Sequence, residues 1–151
     1  MTDAVNKILV ATDFSDGSMV ALRFAHTLAQ SVGATLSIAH IWDYRTVYPS
    51  AIATSGPPEV AVLSVKKEAS ARLDAFLDRV KAEHIPIDRS HIAPGHPAEE
   101  LARLCQSHHY DMIVAGTAGR RGAARFFLGS VAEQIIRQSP VPVVTVRTPA
   151  D

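Results

Sequence analysis

At 151 residues, with 47% apolar and 20% charged side chains, the chain suits one globular domain over residues 1–151 that needs no covalent staples. Lys plus Arg and Asp plus Glu number 15 each, so no global field draws the chain to nucleic acid or to an anionic membrane. A single cysteine, Cys105, excludes an intramolecular disulfide. With no signal-like start and no apolar run near the roughly 20 residues of a bilayer span, the expected address is the cytoplasm.

Lys7 to Thr12 is an almost unbroken apolar run and reads as a strand buried on both faces, with Asp13 at its carboxyl end. Ser15-Asp16-Gly17-Ser18 is turn and cap chemistry, and either serine would serve as the N-cap. Val20, Phe24, Leu28 and Val32 then form a helical stripe that stops at Gly33. Thr35 to Trp42 is the second strand. Asp43 to Pro58 has no period and is rich in small residues and proline, which predicts a long loop. From Glu59 to His84 the apolar positions 62, 65, 69, 73, 76, 77 and 80 predict the longest helix.

A third strand is expected from Ile85 to about Ala93, at a sheet edge because of Pro86. Pro97, Glu99 and Glu100 suit the first turn of a helix whose apolar face is Leu101, Leu104 and Cys105. Met112 to Ala115 is the fourth strand. Val131, Ile135 and Ile136 line a last helix, Ser139-Pro140 ends it, and Val141 to Arg147 is the fifth strand. Alternation of apolar strands and helices predicts an α/β fold. The expected form is an open five-stranded parallel sheet, order 3-2-1-4-5, with helices on both faces. Ligands of such sheets bind at the carboxyl ends of the strands where the order reverses, here between the first and fourth strands.

The richest stretch for chemistry is Asp111 to Val131. An apolar strand ends in Ala115-Gly116; Gly119 and Gly122 follow, with Arg120, Arg121 and Arg125 and no acid; Gly129-Ser130-Val131 opens a helix. Glycine lets backbone approach a ligand, and a helix start offers unpaired N–H groups and a positive dipole end. Strand, glycine loop, helix start and arginines together describe a cradle for a nucleotide phosphate. Gly129, Ser130 and Val131 would offer their amides, and Ser130 its hydroxyl, although Ser130 also reads as a plain N-cap. The arginines are as consistent with a solvated loop face as with phosphate pairing.

Gly116 and Gly119, nine intervening residues, then Gly129-Ser130 fit the pattern G-2x-G-9x-G-[ST]. On this spacing, on KILVATDFSDGS at the start and on LGSVAEQIIRQSPVPVVTVR at the end, the chain resembles the universal stress protein family in its ATP-binding branch. Thr117-Ala118 departs from the Ser-His frequent in that branch. The resemblance implies an adenine nucleotide alpha hydrolase-like fold and an ATP ligand, with Mg or Mn carried by the triphosphate. It implies that Asp13 accepts a hydrogen bond from a ribose hydroxyl or the adenine amino group. Ala11 and Thr12 would present backbone groups beside it. Ile41 would wall the base, or serve only as core. Ala115, Gly116 and Gly119 would let the loop approach the ribose and phosphates.

The implied role is an ATP-binding regulatory protein of the stress response, acting through nucleotide-dependent conformation or partner binding, without catalysis. A slow ATPase or phosphotransfer enzyme, and an interaction module with a vestigial pocket, stand as alternatives. Val141–Val146 would be an apolar edge strand, and relatives pair through that strand, so a homodimer is expected, with a further protein partner unidentified. The seven histidines show no metal spacing, and no protein-held metal is expected. There is neither a P-loop lysine motif nor a dinucleotide G-x-G-x-x-G after the first strand.

Overall fold

The first apolar run forms β1 (Lys7–Ala11), and its side chains dictate its place. Ile8, Leu9 and Val10 are fully buried, Ile8 and Val10 in the core on one face of the sheet and Leu9 in the core on the other. A strand apolar on both faces belongs where helices cover both. β1 pairs in parallel with β2 (Thr35–Trp42) and with β4 (Met112–Gly116). β3 (Arg89–Pro94) and β5 (Val143–Val146) are the edges, giving the expected order β3-β2-β1-β4-β5. The computed structural model describes residues 4–43, 59–117 and 128–148, so the expected Asp43–Pro58 loop lies outside them apart from Asp43.

The remote end of β1 is fastened by one carboxylate. Asp111 Oδ2 accepts the N–H groups of Asn6 and Lys7 at 2.9 and 3.0 Å, and the Asp111 N–H donates to the Lys7 carbonyl at 2.8 Å. The Lys7 ammonium reaches the His108 carbonyl at 3.1 Å.

α1 (Asp16–Val32) starts at Ser15, whose side chain accepts the Ser18 N–H. It ends at Gly33, whose φ of 76° is the left-handed cap that glycine adopts without strain. The expected stripe is not the core face. Met19, Leu22, Ala25 and Ala29 are buried, whereas Phe24 and Val32 are about half exposed (46% and 48%). Ala21, Ala25 and Ala29 are buried beside Met19 and Leu22 on the face against the sheet, so the face is turned from the expected stripe and Phe24 and Val32 fall on its flank.

α2 (Glu59–Ala82) buries Ala69, Leu73, Phe76 and Val80, as the periodicity requires. It ends before His84, which takes the left-handed conformation at φ 57°. The His84 N–H bonds the Lys81 carbonyl at 2.9 Å and the Ile85 N–H the Val80 carbonyl at 3.2 Å, a Schellman closure. Ile85 and Val80 share one core. Ile85 is therefore the apolar seal of a helix end, and the expected strand start at Ile85 is corrected to Arg89. Pro86 has no N–H for a ladder, and the first bond to β2 comes from Asp88, to the Leu36 carbonyl. Arg23 of α1 binds Glu83 through two bonds of 2.8 and 2.6 Å, joining the two helices on this face.

α3 (Pro97–His108) and α4 (Ser130–Gln138) cover the other face. Leu101, Leu104 and Cys105 are buried as expected, with Ala98 and Ile135. Ala132 and Ile135 are the buried face of α4, while Val131 and Ile136, both expected inside, are each 47% exposed. Among the described residues no helix is long and apolar enough to cross a membrane.

Candidate functional site

The pairing of Val10 with Val114 sets the ends of β1 and β4 side by side, at the point where the strand order reverses. Parallel register carries Thr12 to the level of Gly116. The turn that follows β1 is tied down almost completely. The Thr12 N–H donates to the Ala39 carbonyl at 2.9 Å. The Thr12 carbonyl lies 2.8 Å from His40 Nδ1, and its hydroxyl accepts the Phe14 N–H at 3.0 Å. Thr12 was expected to present backbone groups to a ligand; those groups are instead engaged within the protein, and Thr12 is 8% exposed.

Asp13 both braces the N-cap turn of α1 and is a candidate ligand group. Its Oδ1 accepts the Ser18 hydroxyl at 2.7 Å and the Ser15 N–H at 3.0 Å, while its own N–H donates to Ser18 Oγ at 3.0 Å. These bonds fix the carboxylate at the carboxyl end of β1 and start α1 in the same stroke. Ala11 and Ile41 are half-buried at the margin of the second core, on the face they share with Ala115. Ala115 is 4% exposed, so only its backbone faces anything that enters.

On the β4 side, Thr117 continues the pairing by donating its N–H to the Val146 carbonyl at 3.0 Å. The Gly129 N–H donates to the Thr117 carbonyl at 2.8 Å, so this amide, expected to face phosphate, is turned inward. A β-carbon at Gly129 would stand 3.0 Å from that oxygen, a contact tight enough that glycine is favoured at this position. Its φ of −59° is ordinary, so the requirement is one of space. Gly129 caps α4 with no side-chain bond, and no described residue accepts the amides of Ser130 or Val131. Those two N–H groups, the exposed Ser130 hydroxyl and the helix dipole form an anion-accepting end beside Gly116. Gly119 and Arg120, with Gly122, Arg121 and Arg125, lie outside the described residues.

Three features escape sequence reading. His40 and Phe14 meet over the turn, with ring centroids 4.4 Å apart. Among the described residues neither Trp42 Nε1 nor His96 Nδ1, both buried, has a hydrogen-bond partner. Away from the crevice, His91 Nε2 lies 2.6 Å from the Tyr110 hydroxyl, with the His108 ring 4.8 Å from that of His91. Each joins residues distant in sequence, so no local pattern signals them. Among the described residues no three His, Cys, Asp or Glu side chains converge as metal ligands.

Residues 4–147 match the model of the universal stress protein family. The universal stress protein YxiE of Bacillus subtilis is 32% identical, over 94% of this chain and 99% of its own. The solved structure of universal stress protein UspA from Lactobacillus plantarum superposes with a TM-score of 0.76 at 26% identity, covering 97% of this chain and all of that one. A universal stress protein solved in complex with cAMP gives a TM-score of 0.64 at 26% identity, covering 95% of this chain and 98% of its own.

Proposed function

This chain belongs to the universal stress protein family, and from that premise we propose that it binds an adenine nucleotide, ATP in particular, as a regulatory protein of the stress response. The nucleotide sets its conformation or its choice of partner, and turnover is not part of the role. The observation that carries this reading is the pair of amides at Ser130 and Val131, for which no described residue is an acceptor, near Gly116 and across the sheet's switch point from Asp13. A universal stress protein of the same fold, solved in complex with cAMP, supports an adenine nucleotide as the ligand.

In this reading the phosphates meet the Ser130 and Val131 amides, the Ser130 hydroxyl and Arg120. Asp13 accepts from the ribose or the adenine amino group through its carboxylate, and Ile41 walls the base. Gly116 and Gly119 let backbone approach. Mg or Mn arrives with the triphosphate. The test is calorimetry of the purified chain with ATP, with and without magnesium, and mass spectrometry of whatever copurifies. Binding of ATP is expected; no binding to ATP, ADP or AMP sinks the proposal.

The same reading makes the protein a cytoplasmic homodimer. β5 is an edge strand of Val143, Val144, Thr145 and Val146, each partly exposed, and Val131 and Ile136 of α4 are exposed apolar residues. Apolar edges of this kind invite a second strand. Light scattering at micromolar concentration should give twice the chain mass, and Thr145→Lys should lower it.

A further inference from the structure

We propose that Phe14 and His40 are positioning residues: together they clamp the turn after β1 in the one backbone shape that presents the Asp13 carboxylate to a nucleoside. This rests on the nucleotide-binding reading above. Phe14 has φ 66°, a left-handed conformation that is an outlier for a bulky side chain and persists only where the surroundings over-determine it. Here they do. Its ring lies 4.4 Å from that of His40 and 5.6 Å from that of Phe76, and its N–H is held by the Thr12 hydroxyl at 3.0 Å.

His40 secures the other side. Its Nδ1 lies 2.8 Å from the Thr12 carbonyl, which can only accept, so the proton sits on Nδ1 and His40 donates. Thr12 is thus gripped from β2 by Ala39 and His40 and from its own loop by Phe14. Asp13 lies between two fixed neighbours. The left-handed step at Phe14 is what brings the Ser15 N–H back onto Asp13 Oδ1 at 3.0 Å. An extended Phe14 would carry Ser15 away, releasing the carboxylate and the N-cap of α1 together.

The test uses the full chain and four variants. His40→Ala removes the ring contact and the bond to Thr12; His40→Asn puts an amide N–H near the place of Nδ1. Phe14→Ala removes the ring and keeps the strain. Asp13→Asn supplies the second arm of a double-mutant cycle with His40→Ala. Hydrogen exchange at the Phe14 and Ser15 amides is read without ligand, the Leu22 amide serving as the control for folding. Dissociation constants for ATP and AMP are read by calorimetry.

In His40→Ala and Phe14→Ala we expect about a tenfold loss of protection at Phe14 and Ser15, and about a tenfold weaker affinity, the same for ATP and AMP because Asp13 serves their shared nucleoside. His40→Asn should restore most of both. In the Asp13→Asn background His40→Ala should cost nothing more. Unchanged exchange, lost protection with unchanged affinity, or full additivity in the cycle overturns the clamp while wild-type binding leaves the functional reading intact. A wild-type chain that binds neither nucleotide overturns the functional reading, and the positioning role with it.

Discussion

Gly129 gives its N–H to the Thr117 carbonyl at 2.8 Å, and a β-carbon on Gly129 would stand 3.0 Å from that same oxygen. The first fact ties the amino end of α4 to the end of β4; the second means that a side chain there must push the Thr117 carbonyl aside by a few tenths of an ångström. Gly129→Val should therefore push the α4 amides out of register with the crevice. ATP affinity should fall at least about tenfold, or about 1.4 kcal/mol, while thermal unfolding moves by only a few degrees, because the sheet ladders are untouched. Calorimetry beside a melting curve checks both, and equal ATP affinity would detach Gly129 from the site.

His84 closes α2 in the left-handed conformation, away from the crevice and fully on the surface side of the helix end. Replacing it with glycine relieves roughly 1–2 kcal/mol of backbone strain and costs about 0.5–1 kcal/mol of unfolded-chain entropy. His84→Gly should be more stable by about 0.5 kcal/mol on these terms, with nucleotide affinity unchanged. Urea denaturation reads the first and calorimetry the second.

Burial, the neighbouring His108 and Arg89 all push the His91 imidazole below its ordinary pKa. The folded state therefore resists a proton that the unfolded chain accepts. The stabilising contribution is present above the ordinary histidine value of about 6.5 and is lost as pH falls from there toward the lowered value. His91→Gln should flatten the decline of stability below that pH. Denaturant midpoints at several pH values would show it, and parallel curves for the two proteins would refute it.

The Cys105 thiol is pushed up to about 12 by burial against α3 and the sheet. It stays protonated and weakly nucleophilic at neutral pH. A thiol reagent at pH 8 should label the native chain far more slowly than the urea-unfolded one. The sign for stability follows: the unfolded thiol ionises first, so stability is constant below the ordinary thiol value and declines as pH climbs from there toward 12. Cys105→Ser should remove that alkaline decline.

The strand order, the switch point and the glycine at 129 were legible because each is local: a two-sided apolar run, an alternation, a spacing. The face of α1 was not. Periodicity of large residues points to Val20, Phe24, Leu28 and Val32, but the buried face runs through Met19, Leu22, Ala25 and Ala29, and its two alanines carry no size signal. The start of β3 was misread because Ile85 is apolar for another reason, sealing a helix. The grip of His40 on Thr12 joins residues 28 apart, and the left-handed Phe14 breaks the rule that reserves such angles for small residues. Asp13 is legible as a ligand group from its place at the end of a strand, whereas its bonds to Ser15 and Ser18, which brace the N-cap turn at Ser15, are not.

The double bond of Asp111 to Asn6 and Lys7 has a mechanical meaning. β1 is anchored at its heel and flanked on both sides, so it cannot slide when something pulls at Asp13. At its tip the strand is held by β2, through Ala39 and His40 on Thr12, and by the adjoining helix, whose first residue follows Asp13 by three positions. The same helix meets the end of α2 through the pair of Arg23 with Glu83, so the turn that carries Asp13 and the far helix share one rigid neighbour.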